Sequence, residues 1–315
     1  MQRNEGLRMR MLAVDMDGTL VGTDGQVSAR NLAALKAAEQ AGVEVVVATG
    51  RRHCYAMRLL RGLGLREENA VISSNGTVVR TIGARLLEKA FLPIETAKWL
   101  CGHVDEFRNS LVITFDMVGP DGEDARGALV VEALEELNAS IGRWMAANEP
   151  YIAHMTPIEL ALEGEAPIQM MVCGTVERMR RAEARLLEHP GVSAVGVGPQ
   201  ERTAGVQAAL HRTEYPERDL SIVDILPAGC SKGSALLRLA ADRGVLSEEI
   251  VAIGDNWNDV SMLEVAGQAV LMANAPEDLK EMAMERGWGM GLGHHEDGVA
   301  VVVEAALAKS LAGTR

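Results

Sequence analysis

Asp15-Met16-Asp17-Gly18-Thr19 sets two carboxylates two positions apart, directly behind the apolar run Met11-Leu12-Ala13-Val14. The run reads as a buried strand, and the Gly-Thr behind it as the turn that ends it. Carboxylates withdrawn from water at a strand end are costly unless a metal or hydrogen bonds compensate them. A carboxylate so placed can attack a phosphoryl group to give an aspartyl phosphate, and a second acid beside it can carry the proton. Taken alone, the spacing fits equally an acidic turn or the start of a calcium loop.

The same ending recurs along the chain. Val43–Ala48 is an apolar run rich in valine that stops at Thr49-Gly50-Arg51, and Ile250–Ile253 stops at Gly254-Asp255-Asn256-Trp257-Asn258-Asp259. Ala70-Val71-Ile72 stops at Ser73-Ser74-Asn75-Gly76, and Ala269–Met272 at Ala273-Asn274-Ala275. Near-continuous apolar strands alternating with helical segments indicate a parallel sheet covered on both faces. Ligands of such sheets bind outside the carboxyl ends of the strands. Asp15, Thr49, Asn75, Asp255 and Asn274 are therefore expected on one rim.

The elements that hold this rim form a core interrupted by an insertion. Ser28 reads as the N-cap of a helix that runs through Ala41 and ends at Gly42. A helix is expected near 53–63, then the strand that ends at Asn75, and a hairpin-like Val78–Leu87 leading out of the core. Residues 83–227 show mixed α/β character, with a strand at Leu111–Phe115 and helices near 94–108, 128–147 and 176–188. Gly119–Gly127 and Gly191–Gly205 read as loops. Val206–Thr213 and Leu220–Leu226 read as a hairpin around Tyr215–Asp219. Core signals resume at Gly229–Gly233, where Lys232 opens a helix. The reading is an α/β fold: a core of residues 1–82 and 228–315 with an inserted domain at 83–227.

Composition narrows the partners. The 315 residues exceed one typical domain, and 48% hydrophobic content suffices for a sizeable core. A formal net charge of −13 argues against nucleic acid or an anionic membrane as partner. No stretch approaches the roughly 18 apolar residues of a span. Met1–Arg10 is polar without a leader core, so a cytoplasmic location is expected. Cys54, Cys101, Cys173 and Cys230 lack metal-ligand spacing and read as reduced, small hydrophobes.

These residues resemble the haloacid dehalogenase superfamily, and most closely its Cof-like phosphatases. The motifs that carry the resemblance occur in order: Asp15-Met16-Asp17-Gly18-Thr19, Ala48-Thr49-Gly50-Arg51, Ser231-Lys232-Gly233 and Gly254–Asp259. Ser74-Asn75-Gly76, Asn274-Ala275 and Glu296–Ala300 support them. The resemblance implies a Rossmann-like, doubly wound parallel sheet with strand one central, and a cap domain. Only 31 residues separate Asp17 from Thr49, nearly all used by one helix and one strand. The cap must then be the later insertion, whose mixed α/β pattern looks like the type-IIB cap.

The resemblance implies a phosphatase acting on a small phosphorylated metabolite, a sugar phosphate or phosphorylated cofactor, through an aspartyl phosphate. Asp15 would be nucleophile and metal ligand, Asp255 a ligand, and the Asp17 carbonyl a third. The Asp17 side chain would protonate the leaving oxygen and then take a proton from water. Thr49, Gly50, Lys232 and Asn258 would hold the phosphoryl group. Asp259 would act through water or by holding Lys232, and Asn75 would support from behind. Two unit charges about 4 Å apart repel by about 4 kcal/mol at an effective dielectric near 20, so acids and phosphate cannot share a rim without positive charge. Mg²⁺, hard and oxygen-ligated, fits that need. The insertion would close over the rim and select the leaving group.

Plainer roles stand beside these. A cation at a helix start opposes the helix dipole, which favours function for Lys232 over a solvated lysine. Thr49 can cap the next helix as well as hold phosphate. Arg51 reads as a surface or ion-pair arginine, and His294-His295 as loop residues rather than a metal pair. A phosphomutase shares every step through the aspartyl phosphate, while a non-catalytic phospho-ligand regulator would usually have lost one of the two motif-one acids. A signalling receiver would place its phosphoacceptor after a later strand, and a dehalogenase proper would lack the acid at Asp17. Neither the exact substrate nor the oligomeric state is encoded in any motif.

Overall fold

Every residue of Met11–Asp15 is buried in the computed structural model, which describes residues 8–119, 122–194 and 205–312. This strand, β1, is followed by β2 (Glu44–Ala48), β3 (Ala70–Ser73), β4 (Val78–Thr81) and β5 (Leu86–Lys89). Then come β6 (Leu111–Thr114), β7 (Leu129–Val131), β8 (Ile152–His154), β9 (Gln169–Gly174), β10 (Val192–Ala194), β11 (Ala208–Tyr215) and β12 (Leu220–Pro227). The last strands are β13 (Ile250–Gly254), β14 (Gln268–Leu271) and β15 (Gly289–Met290). The helices are α1 (Ala29–Gln40), α2 (His53–Leu60), α3 (Ile94–His103), α4 (Glu135–Asn148) and α5 (Val176–Leu187). They continue with α6 (Lys232–Asp242), α7 (Val260–Val265), α8 (Glu277–Glu285) and α9 (Gly298–Ala312).

The described residues form two compact units, one of 8–87 and 232–312, the other of 88–194 and 205–231. The sheet of the first runs β15-β14-β13-β1-β2-β3-β4-β5. Its pairs from β15 through β3 are parallel, and β4 joins antiparallel to β3. Alternation along the central strands divides the core. Leu12, Val14, Val45, Val47 and Ile253 face α1, α2 and α9, while Met11, Ala13, Val46, Ala48 and Ala252 face α6, α7 and α8. Both faces are covered, which is why these strands read as unbroken apolar runs.

Local signals set the element ends. Ser28 accepts a hydrogen bond from Asn31 N–H and caps α1. Gly42, at φ +83°, takes the left-handed turn behind that helix.

The inserted unit carries a sheet in the order β10-β11-β12-β9-β6-β7-β8. α3 and α5 cover one face through Leu100, Met179, Ala182 and Leu186, and α4 covers the other through Leu137, Ile141 and Met145. The fold is thus the expected α/β class, a Rossmann-like core with an inserted α/β cap.

Several local expectations are corrected. Val78–Leu87 does lead out of the core, which the chain leaves at Leu87, but first extends its sheet as β4 and β5. The helix expected over 128–147 begins at Glu135, because Leu129–Val131 pairs with β6 as β7 and is buried. A short apolar run cannot be assigned to helix or strand by periodicity alone. β9, a six-residue strand buried throughout, was not anticipated. The expected loop at Gly191–Gly205 contains β10, and its residues 195–204 lie outside the described residues, as does most of the polar Met1–Arg10. Among the described residues no helix is long and apolar enough to cross a membrane. The four cysteines are all buried.

Candidate active site

Parallel register brings the strand ends together. Val14 pairs with Ile253 and Asp15 with Ala48, so Asp15, Thr49 and Asp255 emerge at the carboxyl edge of three adjacent strands. Asn75 stands behind β3 on the same edge. Asp15, Asp255 and Asp259 each place a carboxylate oxygen within 4.8 Å of the others, and all three are buried.

Lys232, the first residue of α6 and 0% exposed, lies among them. Its ammonium donates to Asp15 Oδ1 at 2.6 Å and to Asp259 Oδ1 at 2.7 Å. The close approach of α6 to α7 sets this position: a Cβ at Gly233 would stand 2.0 Å from the Ser261 carbonyl oxygen. The other Asp259 oxygen accepts from the N–H groups of Asp255 and Asn256, both at 3.0 Å. Asp259 therefore holds Lys232 with one oxygen and the Asp255 loop with the other.

Burial and then the charge of Asp259 push the Asp15 carboxyl up to about 7, against the pull of Lys232. Burial, Asp15 and Asp259 likewise raise Asp255 well above the usual carboxylate range. Burial pulls the Lys232 ammonium down, but the two carboxylates outweigh it and hold the ammonium above its ordinary range. Three carboxylates and one ammonium leave a formal charge of −2. A set of buried oxygen donors with that deficit fits a hard divalent cation.

Thr19 Oγ1 donates to Asp255 Oδ1 at 2.9 Å. Asn274 Nδ2 donates to the Gly18 carbonyl at 2.8 Å and to Asp255 Oδ2 at 3.1 Å. Gly18 sits at φ +82°, and a Cβ there would fall 2.3 Å from Asp255 Oδ2. Only glycine lets the turn pass this close to the acid.

The Thr49 hydroxyl accepts from Arg51 N–H at 3.1 Å. It does not cap α2, whose N-cap is Arg52 with no side-chain capping bond. The Asn258 amide donates to Asn75 Oδ1 at 3.1 Å. Ser74 and Asn75 both adopt left-handed backbone, φ 48° and 53°, a strained turn of the kind that clusters at functional sites. Gly50 passes next to the Asn75 amide, where an added Cβ would lie 3.3 Å away.

The Asp17 side chain stands apart from the buried cluster. It is 41% exposed and is held by Arg51, with Nε on Oδ2 at 2.8 Å and Nη2 on Oδ1 at 2.5 Å. The sequence did not single out Thr19 as a partner of Asp255, although its place in the Asp-x-Asp-Gly-Thr run was a usable signal. It also offered no way to pair Arg51 with Asp17. His294 and His295 meet edge to face at 5.3 Å on a short turn and hold no third ligand among the described residues.

Residues 12–303 match the family model for haloacid dehalogenase-like hydrolases. A 5-amino-6-(5-phospho-D-ribitylamino)uracil phosphatase of Bacillus subtilis is 27% identical over 310 residues, covering 95% of this chain and 98% of that protein. A second phosphatase of Bacillus subtilis is 32% identical over 295 residues, covering 87% and 93%. A solved structure of a haloacid dehalogenase-like hydrolase from B. subtilis superposes with a TM-score of 0.68 at 27% identity, over 94% of this chain and 99% of that one.

Proposed function

The chain belongs to the haloacid dehalogenase-like hydrolases, as a Cof-like, subclass IIB phosphatase of small phosphate esters, and from that we propose a Mg²⁺-dependent hydrolysis through an aspartyl phosphate on Asp15. The observation that carries this reading is the buried Asp15–Asp255–Asp259 cluster with Lys232 inside it. Asp15 and Asp255, with the Asp17 carbonyl, would hold the ion, which when bound offsets the negative charge of acids and phosphate.

The remaining steps fall to the chain's own groups. An Asp15 oxygen attacks phosphorus, and the bond from phosphorus to the leaving oxygen breaks. The Thr49 hydroxyl, the Gly50 backbone, the Asn258 amide and the Lys232 ammonium receive the phosphoryl oxygens as charge shifts onto them. The Asp17 carboxyl gives its proton to the leaving oxygen and then takes one from the water that attacks the phosphoenzyme. Asp259 keeps Lys232 aimed at Asp15, and Asn75 keeps the Asn258 amide in place.

The substrate class is a small phosphorylated metabolite, a sugar or polyol phosphate or a phosphorylated cofactor. A relative named for a phosphorylated ribitylamino compound supports it. Selection of the leaving group is assigned to the inserted unit.

The test is turnover of nitrophenyl phosphate with and without Mg²⁺. Chelation should abolish turnover and restored Mg²⁺ should recover it, while Asp255→Asn should require at least about tenfold more Mg²⁺ for half-maximal rate. Full activity after exhaustive chelation would remove the metal from the reading.

A further inference from the structure

We propose that Arg51 is a positioning residue for the second half of the reaction: its guanidinium fixes the Asp17 carboxylate where it takes a proton from the attacking water. This rests on the two-step reaction proposed above. The contact is a fork, with Nε at 2.8 Å from Oδ2 and Nη2 at 2.5 Å from Oδ1. A planar fork on both oxygens restricts rotation of the carboxylate in a way a single contact does not. In this arrangement both carboxylate oxygens are held as acceptors.

A pair of mobile surface chains would carry no such role, since exposed ion pairs contribute little. Arg51 is not mobile in that sense. Its N–H donates to Thr49 Oγ1 at 3.1 Å, and its carbonyl accepts from Ser74 N–H at 2.8 Å. Its guanidinium carbon lies 5.0 Å from the centre of the Tyr55 ring. The backbone that carries the fork is thus tied to Thr49, a residue of the phosphoryl site itself.

The two half-reactions use this contact differently. To protonate the leaving oxygen, one Asp17 oxygen must first leave the fork. In the second half the fork is the working arrangement. The water oxygen bonds to phosphorus, the phosphorus–Asp15 bond breaks with its electron pair returning to the carboxylate, and the water proton passes to Asp17. Loss of Arg51 should therefore slow breakdown of the phosphoenzyme more than its formation.

Nitrophenyl phosphate separates the halves, because its leaving group departs without a proton. With this ester kcat/KM ends at phosphoryl transfer, whereas kcat includes breakdown. For Arg51→Gln in the full chain with saturating Mg²⁺, kcat should fall about tenfold, a part of the ~10²–10⁴ that a positioned base supplies. kcat/KM should fall less than about threefold, so KM drops with kcat. Rapid mixing should show a burst of nitrophenol approaching one equivalent, and intact mass should show the phosphorylated chain accumulating. Arg51→Lys, which keeps charge without the fork, should fall between, and Tyr55→Leu should move the same way by less. Equal losses in kcat and kcat/KM with no burst overturn the role of Arg51, provided the wild type forms the phosphoenzyme. A wild type that forms none on rapid quenching overturns the two-step reaction instead.

Discussion

Replacing Lys232 by methionine removes the one buried cation from a cluster of three buried acids while keeping most of the side chain's volume. Lys232 donates to Asp15 and Asp259 at 2.6 and 2.7 Å with no exposure to solvent. Breaking a buried pair by deleting one partner costs about 3–5 kcal/mol when the other stays charged. The acids have an escape, which is to bind a proton, so the cost must depend on pH. In the wild type the Asp15 carboxyl is already raised from 3.8 to about 7. Between those values the folded chain keeps a proton the unfolded chain has released, so stability falls as pH rises through that window.

Without Lys232 the carboxyl rises further and the window extends upward. The difference in stability between wild type and Lys232→Met should thus be small at pH 5 and approach the full value at about pH 8. The assay is urea unfolding of both proteins at the two pH values in chelator, so that no metal substitutes for the lysine. Turnover of nitrophenyl phosphate with Mg²⁺ restored should fall by about 10²–10³, the usual cost of one donor to a developing oxyanion. A stability difference that is the same at both pH values, or larger at pH 5, would refute the view that Lys232 compensates these acids.

Two further substitutions probe the rim. Asp15→Asn should abolish turnover, whereas Asp17→Asn should retain a residue of about 10⁻²–10⁻⁴ on nitrophenyl phosphate and trap the phosphoenzyme; equal, mild losses would contradict the division of roles. Gly18→Ala should destabilise by about 1–2 kcal/mol from its left-handed backbone and displace Asp255, since the new Cβ would meet Oδ2 at 2.3 Å. Its readout is thermal unfolding together with a raised Mg²⁺ requirement, and an unchanged requirement would show that the turn has room to yield.

The sequence by itself determined the class of fold, and did so for a simple reason. A strand buried on both faces must be apolar throughout, so β1, β2 and β13 stand out as runs, and whatever polar residue ends each run lies on the same edge of a parallel sheet. That rule placed Asp15, Thr49 and Asp255 together although Asp15 and Asp255 are 240 residues apart. It worked less well in the inserted unit. β7 and β9 are short apolar stretches with no period long enough to separate strand from helix, and only pairing with β6 defined them. That β4 and β5 extend the core sheet before the chain leaves it was missed for a related reason, since nothing local distinguishes joining a sheet edge from leaving it.

What tertiary structure alone decided is which polar group serves which acid. Side-chain hydrogen bonds depend on distances across the sheet edge that no sequence spacing encodes. Thr19 and Asn274 converge on Asp255, Asp259 divides its oxygens between Lys232 and the Asp255 loop, and Arg51 takes both oxygens of Asp17. The chain could announce that two acids stand at the end of its first strand. Only the fold shows that one is buried against an ammonium and the other half-exposed in a guanidinium fork, and that difference in surroundings is what lets two like carboxylates take unlike parts in one reaction.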